Sequence, residues 1–440
     1  MNEKTEHSIK LHGWGRYPVI DAEAPAFETA DQAARVLARP GHWIAHGLGK
    51  SYGDSALNQQ VIMTRRFNKL LDFDARKGVV TCECGVTLAD LIDTFLPMGW
   101  FLQICPGTKL ITVGGAIASD VHGKNHHTAG CFSTSVIALD LMLPDGRRLT
   151  CSPNENRDLF AATCGGMGLT GLIVTATIQL RPVQSAYVNE NVIRCRNLAQ
   201  AFEQFEKHQQ TTYSVAWIDC LAKGESLGRS VLMVGEHSEQ GGLEMPSSRP
   251  SAVPVECPGL LMNKYSVALF NHLYFNTHPS SRRHQPKSID AFFFPLDRIA
   301  NWNRMYGSRG FTQYQFVLPM ESSFLGLGAI LERISRSGIG SFLAVLKRFG
   351  VGNQNLLSFP VEGYTLALDF KIEPHLFPLL DELDNMVVDH GGRLYLAKDV
   401  RMRKQTFLQG YPGWEAFREI RSKYGLSEKL NSLQSLRLGL

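Results

Sequence analysis

The sequence predicts an α+β protein of two domains, and two observations carry this prediction. The chain has 440 residues, more than a single hydrophobic core usually organises, and its 44% hydrophobic and 20% charged residues are typical of a folded globular protein. Strand patterns outnumber long helices in the first half, and a second set of strand patterns follows further along the chain. We therefore expect two sheets with helices packed against them.

Several elements are predicted in the first half from apolar periodicity. The predicted strands cover residues 78–84, 136–143, 147–150 and 172–180, and the predicted helices cover residues 87–95 and 158–163. Pro144-Asp145-Gly146 is expected to form a turn. Arg181-Pro182 is expected to break the last strand and to mark a domain boundary.

Three strands and two helices are predicted for the second half of the sequence. The strands cover residues 292–294, 311–317 and 364–370, and the helices cover residues 197–208 and 377–390. Gly391-Gly392 ends the second helix. Residues 237–258 are rich in Ser, Gly, Pro and Glu and are expected to form a mobile excursion, while residues 405–440 combine helix and loop.

Composition excludes several classes of protein. The formal net charge of +4, from 45 basic and 41 acidic residues, argues against a dedicated nucleic-acid binder. The nine cysteines form no CxxC pair and are expected to be reduced and mostly buried. Residues 1–7 are polar with no apolar signal region behind them, and no run of about 18 apolar residues occurs. We expect a cytoplasmic protein, with peripheral membrane contact left open.

Three Gly-rich segments lie in the first half, at residues 46–54, 106–118 and 165–171. Successive small residues expose backbone N–H groups and let a pyrophosphate approach the chain closely. A P-loop is rejected because Ile44 stands where that motif needs its first Gly. A Rossmann motif is rejected because the third segment precedes a strand instead of a helix. Any single segment could be a tight turn, but the three together favour dinucleotide binding.

This set of segments resembles the FAD-binding domain of the vanillyl-alcohol-oxidase type of flavoproteins. Over nearly its whole length, the chain is similar to the decaprenylphosphoryl-β-D-ribose 2′-oxidase family. The blocks that carry the resemblance are residues 46–54, 106–130, 165–175, 313–317 and 391–399. The resemblance implies an FAD-binding domain of residues 1–185, an antiparallel-sheet substrate domain of residues 186–392 that caps it, and a C-terminal segment of residues 393–440 that returns to the FAD-binding domain.

The resemblance also implies which residues contact FAD. They are His46, Gly47, Leu48, Gly49, Lys50, Ser51, Tyr52, Gly53, Asp54, Gly107, Thr112, Val113, Gly114, Gly115, Ser119, Asp120, Val121, His122, Ile173 and Tyr395. Many relatives of the broader type attach the flavin covalently through a His in the first loop. Tyr52 stands at that place here, and because a phenol does not form that bond, we predict non-covalent FAD.

The catalytic set implied by the resemblance is Lys398, His122 and Tyr52. A single Lys is usually a solvated surface group, but the matching Lys faces the flavin and the substrate, where a cation stabilises charge on the reduced flavin. The implied substrate-binding residues are Gln313, Gln315, Lys347, Phe349, Thr365, Ala367 and Lys398. Ala367 stands where the family has a Cys that reacts covalently with nitroaromatic inhibitors, so these inhibitors cannot bond to position 367 here. Thr365 replaces an Asn of the family.

Two further features have alternative interpretations. His122, His126 and His127 lie close in sequence but lack a supporting carboxylate cluster, so we expect no metal. The apolar residues between 259 and 275, close to Arg282 and Arg283, form either a core segment or a mobile lip that meets a polyprenyl chain and the membrane surface. The apolar residues in question are Leu260, Leu261, Met262, Val267, Leu269, Phe270, Leu273 and Phe275.

The resemblance implies oxidation of the 2′-hydroxyl of a polyprenyl-phosphoryl-β-D-ribose by FAD, which gives the 2′-keto sugar. This is the first half of an epimerisation to the arabinose form, and a separate NAD-type short-chain reductase is expected to complete it. Two alternatives stay open. One is an FAD-dependent oxidase of a free sugar or aldonolactone, and the other is a non-catalytic flavin or lipid carrier.

Overall fold

The structure is a computed structural model that describes residues 8–246, 251–257 and 262–440. Two large antiparallel sheets and their helices make up most of it, which confirms the predicted α+β class. Within these ranges, no helix combines the length and the apolar character needed to cross a membrane. Of the predicted excursion, residues 247–250 and 258 lie outside the described residues.

The first large sheet has the strand order β5-β6-β10-β8-β9, with β7 paired to β10. Its strands are β5 (Leu70–Asp74), β6 (Val79–Glu83), β7 (Trp100–Leu102), β8 (Val136–Met142), β9 (Arg148–Cys151) and β10 (Leu172–Pro182). The strand predictions for this half are confirmed to within two residues at each end. The apolar faces of these strands pack into one core with the helix that Thr87 caps, where Thr87 and Asp90 form a capping box.

The second large sheet has eight strands in the order β15-β11-β13-β12-β18-β19-β17-β20. They are β11 (Tyr187–Cys195), β12 (Tyr213–Ile218), β13 (Ser230–His237), β15 (Ser281–Ser288), β17 (Phe311–Pro319), β18 (Ala344–Phe349), β19 (Gly363–Lys371) and β20 (Arg393–Leu394). One face of this sheet packs against helices in a second core. The other face is free to line a site.

Small sheets and helices complete the fold. The two-stranded sheets pair β1 (Ile9–His12) with β2 (Val19–Ala22), β3 (Trp43–His46) with β4 (Gln60–Met63), and β14 (Ser251–Ala252) with β16 (Ile299–Ala300). The helices are α1 (Ala30–Leu37), α2 (Leu88–Phe95), α3 (Val113–Ala118), α4 (His126–Ala129), α5 (Arg157–Thr163), α6 (Leu198–Lys207), α7 (Lys264–Thr277), α8 (Ile289–Phe293), α9 (Met320–Ser337), α10 (Leu376–Asp389), α11 (Lys404–Gly410), α12 (Trp414–Lys423) and α13 (Leu433–Leu438).

Two element predictions were wrong. The strand predicted at residues 292–294 is the end of helix α8, because the Ser288 side chain accepts a hydrogen bond from the Ala291 N–H and begins a helix there. The strand predicted to break at Arg181-Pro182 instead continues as β10 through Pro182, where Pro182 is paired with Trp100 of the short strand β7. A proline is tolerated at the end of a strand because the N–H it lacks is not needed there.

The predicted domain division at residues 185 and 392 stays a prediction. Strand β20 pairs with β17 of the eight-stranded sheet, so the C-terminal segment starts against the second half of the chain. Further on, the Trp43 N–H donates to the Lys429 carbonyl at 2.7 Å, and the Asn431 N–H donates to the Trp43 carbonyl at 3.1 Å. The end of the segment therefore contacts the first half.

Candidate active site

A cavity of about 1200 Å³ lies between the Gly-rich segments and the eight-stranded sheet. All three Gly-rich segments contribute to its lining, and so do strands β12, β13, β17, β18 and β19. Helices α7 and α8 close parts of it. The site thus has one wall of backbone and small residues and a second wall of side chains from the sheet.

The first Gly-rich loop follows strand β3 and lines the cavity with every residue from Gly47 to Tyr52. Gly49 has a φ of +61°, in the left-handed region that side chains disfavour. Lys50 is held over the ring of Trp14, with 3.4 Å between Nζ and the ring centre. The loop therefore presents backbone and one cation to the cavity.

The second segment presents an open backbone surface. A Cβ added to Gly107 would meet no atom within 4 Å, so this residue faces free space in the cavity. Thr112 begins helix α3, where its Oγ1 accepts a hydrogen bond from the Gly115 N–H at 3.1 Å. Gly114 packs closely against Cys84, and a Cβ there would lie 3.0 Å from the Cys84 Cβ. These residues fit a pyrophosphate that approaches the main chain.

Fifteen of the twenty predicted FAD contacts line the cavity, and five do not. The five are His46, Gly53, Asp54, Val113 and Asp120. Asp54 forms an ion pair with Arg437 at 2.8 Å, and His46 Nδ1 lies 2.9 Å from the Ala56 carbonyl. These contacts hold the first loop in place, and direct contact with FAD stays a prediction for all twenty residues.

Asp120 is fully buried and ties the segment after α3 to residues 353–358. Its carboxylate accepts hydrogen bonds from the Ser358 hydroxyl at 2.7 Å and from the side-chain amides of Asn353 and Asn355 at 2.7 and 3.0 Å. The Ser133 N–H adds a fourth at 3.0 Å. A buried carboxylate with four donors fixes the backbone on which Ser119, Val121 and His122 face the cavity.

Lys398 brings a cation to the part of the cavity lined by Tyr52. Lys398 lies in a single helical turn after β20, where its N–H donates to the Tyr395 carbonyl at 3.0 Å. Its Nζ lies 4.0 Å from the centre of the Tyr52 ring. Burial lowers the pKa of Lys398 to about 7, and the nearby Asp369 carboxylate opposes this effect.

Asp369 is a buried carboxyl close to Lys398 that was not predicted from the sequence. The Gln313 side-chain amide donates to its Oδ1 at 2.6 Å. Burial raises the pKa of Asp369 to about 7, against the lowering effects of the Gln313 hydrogen bond and the Lys398 charge. The ammonium and the carboxyl therefore titrate as a pair, each depending on the charge of the other.

His122 also faces the cavity and is neutral. The Gln315 side-chain amide donates to its Nε2 at 3.1 Å, which leaves the ring proton on Nδ1. That Nδ1 is buried and has no partner among the described residues. Burial and the positive charge of Lys347 hold the pKa of His122 well below its usual value. An unpaired buried donor at this position fits an acceptor atom of a bound ligand.

The substrate wall is a row of residues across the eight-stranded sheet. Gln315 of β17 is paired with Ala367 of β19, Ala367 with Val345 of β18, and Val345 with Trp217 of β12. All four line the cavity, because side chains that are directly opposite in paired strands share one face of a sheet. Lys347 stands two residues from Val345, on the same face.

Two of the predicted substrate-binding residues, Thr365 and Phe349, lie on the same face of the sheet as Lys347 but do not line the cavity. The Thr365 hydroxyl donates to the Phe316 carbonyl at 2.7 Å. The ring of Phe349 packs against the rings of His122 and His126, with centres 4.8 and 4.4 Å apart. They position their neighbours, and a direct contact with substrate stays a prediction.

Lys124, Trp217 and Asp297 are among the lining residues that were not predicted from the sequence. Alternation along β12 places Trp217 on the face that Val215 also occupies, so the strand pattern carried a signal for it. Asp297 accepts hydrogen bonds from the Thr108 hydroxyl at 2.7 Å and from the Lys109 N–H at 2.9 Å. These contacts join residues almost 190 positions apart, which periodicity does not reveal. Among the described residues, no group of three or more His, Cys, Asp or Glu side chains is placed to hold a metal ion.

Comparison with known sequences assigns this cavity to a class of enzymes. A family model described as an FAD binding domain matches residues 28–152, and the chain is an FAD-dependent oxidoreductase that acts on a CH–OH group. It is 36% identical over 431 residues to decaprenylphosphoryl-β-D-ribose oxidase of Mycolicibacterium smegmatis, covering 94% of this chain and 93% of that protein. The chain therefore belongs to the decaprenylphosphoryl-β-D-ribose oxidase family.

Two other relatives are similar over a shorter part. Mouse L-gulonolactone oxidase is 37% identical over 31% of each chain. Human Δ(24)-sterol reductase is 29% identical over 39% of this chain and 32% of that protein. Both matches span well under half of the chain, so neither carries a substrate over to this protein.

Acid precipitation is expected to release the FAD. The resemblance places Tyr52 where many relatives carry the His that forms the covalent link, and non-covalent FAD stays a prediction. After precipitation with acid and centrifugation, the yellow colour should be in the supernatant, as measured by flavin absorbance. Colour that stays in the pellet after denaturing washes would contradict non-covalent binding.

Proposed function

We propose that this protein oxidises the 2′-hydroxyl of a polyprenyl-phosphoryl-β-D-ribose to the 2′-keto sugar, with FAD as the hydride acceptor. The observation that carries the proposal is one cavity that brings the Gly-rich loops together with Lys398, His122 and Gln315. The similarity to the Mycolicibacterium oxidase over 94% of the chain supports the substrate class. We also propose the division into residues 1–185, 186–392 and 393–440.

The residues have distinct roles in this proposal. The backbone of the first two Gly-rich segments holds the dinucleotide. Bound FAD would supply the acceptor for a hydride from C2 of the sugar, and the proton of the 2′-hydroxyl leaves to water. Gln315 places its amide where a sugar hydroxyl binds, and Gln313 positions the carboxyl of Asp369. The Lys398 ammonium stabilises negative charge that develops during the transfer and holds the substrate oxygen. Neutral His122 donates its Nδ1–H to a bound acceptor.

Anaerobic titration with synthetic farnesylphosphoryl ribose tests this function. The visible absorbance of the flavin should bleach on addition of the lipid-linked sugar, because no acceptor is present to reoxidise it. Free ribose and an aldonolactone are added to parallel samples. Bleaching by these compounds alone would favour an oxidase of free sugars, and a flavin that no compound bleaches would favour a carrier.

The finer assignments of partners belong to the same proposal. A keto sugar that is still attached to its lipid needs a reductase, so we propose coupling to a separate NAD-type short-chain reductase. Helix α7 supports peripheral membrane contact, because Tyr265, Leu269 and Leu273 share an outward face and are 74%, 60% and 53% exposed. Of the predicted lip, Leu260, Leu261 and the side chains of Arg282 and Arg283 lie outside the described residues.

Replacing Tyr265, Leu269 and Leu273 together with Ser is expected to weaken binding to anionic lipid vesicles severalfold. The substitutions remove the exposed apolar face of α7 that would enter the lipid interface. Co-sedimentation with vesicles measures the effect, and the FAD content should not change. The control is Leu325→Ser, which removes a 72% exposed apolar residue from helix α9. Equal vesicle binding by the triple variant and the wild type would contradict membrane contact through α7.

A further inference from the structure

The cavity lining carries a surplus of positive charge. Its lysines are Lys50, Lys124, Lys287, Lys347 and Lys398. Asp297 is the single acidic residue among the described residues that line it. Lys287 forms an ion pair with Glu190 at 2.8 Å, whereas Lys124 and Lys347 have no ion pair in the described part of the chain. A cavity with two unpaired ammonium groups is suited to an anionic ligand.

Of these two cations, Lys347 has the fewer interactions with the protein. Burial is the one cause that lowers the pKa of Lys347 to about 8, and no hydrogen bond or carboxylate within the described residues counteracts it. Lys124 donates one hydrogen bond, to the Phe292 carbonyl, and its Nζ lies 4.3 Å from the centre of the Phe292 ring. Burial lowers the pKa of Lys124 to about 7. An ammonium withdrawn from water without a counter-charge is unfavourable, and an anion bound beside it removes that penalty.

The strand order places Lys347 between a polar and an apolar part of the cavity. Strand β17, which carries Gln315, is two strands away from β18, which carries Lys347, so the two strands are about 10 Å apart at the usual spacing. On the other side of β18 follow β12 and β13, which line the cavity with Val215, Trp217 and Met233. The wall thus changes from amide to ammonium to apolar side chains along one direction.

Helix α7 covers the apolar part and forms a channel with the sheet. Val267, Phe270 and Tyr274 line the cavity from one face of the helix. The Tyr274 ring packs against the Trp217 ring with centres 4.6 Å apart, so the helix is close to the sheet at that point. Phe270 lines the cavity and is also 42% exposed, which places it at an opening to solvent.

We propose that Lys347 and Lys124 bind the phosphodiester of a lipid-linked sugar, and that its isoprenoid chain lies in the channel between α7 and strands β12 and β13 and leaves at Phe270. This inference rests on the proposed function. In such a substrate the phosphate is attached to C1, next to the oxidised C2, and the lipid extends from the phosphate. Sugar, phosphate and lipid must therefore follow one another in the order in which Gln315, Lys347 and Trp217 line the wall.

Binding of farnesylphosphoryl-2-deoxyribose to the FAD-loaded protein tests the phosphate subsite. This analogue has no hydroxyl at C2 to oxidise, so the perturbation of the flavin spectrum gives its Kd directly. Lys347→Met is expected to raise the Kd about 10- to 100-fold, because hydrogen bonds to charged groups are worth that much. Lys347→Arg should stay within about threefold of the wild type, since it keeps the charge. An unchanged FAD content shows that each variant is folded, and the exposed Lys223→Met serves as a control.

The channel is tested with esters of the same deoxyribosyl phosphate that carry methyl, geranyl or farnesyl groups. The Kd of the wild type should fall as the chain lengthens, because each isoprene unit buries apolar surface. Phe270→Ser should weaken this dependence and leave the methyl ester unchanged. Leu269→Ser, on the outward face of the same helix, should have no effect on these values.

Three results have separate meanings. A Kd that Lys347→Met leaves unchanged would overturn the phosphate subsite, and a wild-type Kd that does not depend on chain length would overturn the channel. Failure of the proposed function would appear elsewhere. In that case farnesylphosphoryl ribose, with its 2′-hydroxyl, would never bleach the flavin of the wild-type protein, whatever the Kd of the deoxy analogue.

Discussion

Lys398→Met is expected to slow reduction of the flavin by farnesylphosphoryl ribose about 10²- to 10³-fold, the range for loss of one preorganised group that stabilises charge in a transition state. Lys398 is a cation at the part of the cavity lined by Tyr52, with its Nζ 4.0 Å from that ring. FAD binding should persist, because Met retains an apolar stem and the N–H contact of residue 398 with Tyr395 is a backbone contact. Anaerobic stopped-flow absorbance measures the rate.

Lys404→Met is the matched control for this prediction, since Lys404 is exposed at the start of helix α11 and does not line the cavity. Its rate and its FAD content should equal those of the wild type. A Lys398→Met protein that binds FAD and is reduced within about threefold of the wild-type rate would remove Lys398 from the catalytic set. Loss of FAD in that variant would instead assign Lys398 to cofactor binding.

Local patterns in the sequence predicted the elements that local interactions determine. The apolar periodicity of residues 87–95 and the alternation along β10 led to correct predictions of helix α2 and of most of that strand. The run at residues 292–294 was misread because three consecutive aromatic residues are compatible with a strand, whereas the Ser288 cap upstream makes them the end of a helix. A short apolar run does not by itself distinguish a strand from a buried helix.

The candidate site was predictable only in part, because its support comes from residues distant in sequence. Arg437 forms ion pairs with Asp54 at 2.8 Å and with Asp399 at 2.9 Å, and so joins the first Gly-rich loop to the neighbour of Lys398. A single sequence shows no sign of a contact between residues 54 and 437. The resemblance identified Asp54 as a matched position, but only the three-dimensional contacts indicate that it holds the loop.

Among the residues whose role depends on contacts distant in sequence, Asp369 has the most direct effect on the chemistry. Its position in β19 opposite Gln313 follows from strand register, and its proximity to Lys398 follows from the path of the chain after β20. The sequence offered one acidic residue within a mostly apolar strand, which is an ambiguous signal. A buried carboxyl that shares its titration with a cation in the active site has a functional consequence that experiment can test.

Asp369→Asn is expected to move the alkaline limb of the flavin-reduction rate to lower pH by about one unit. Lys398 is charged below its pKa, so a rate that needs the cation falls as the pH rises through that value. The Asp369 carboxylate raises the pKa of Lys398 against the lowering effect of burial. Removing the carboxylate lowers the pKa further, and the cation is lost earlier as the pH rises. The rate of anaerobic reduction, measured across neutral to alkaline pH, gives the position of the limb.

Lys398→Arg identifies the origin of that limb. A guanidinium keeps its charge throughout this pH range, so the alkaline limb should disappear in this variant even if the maximal rate is lower. The rate is measured at saturating farnesylphosphoryl ribose, so that titration of Lys124 and Lys347 in substrate binding does not contribute. The same holds for the double variant Lys398→Arg, Asp369→Asn, because the carboxylate then has no nearby titrating ammonium to influence. A limb that persists in Lys398→Arg would show that another group titrates, and an unmoved limb in Asp369→Asn would show that the carboxylate does not control the charge of Lys398.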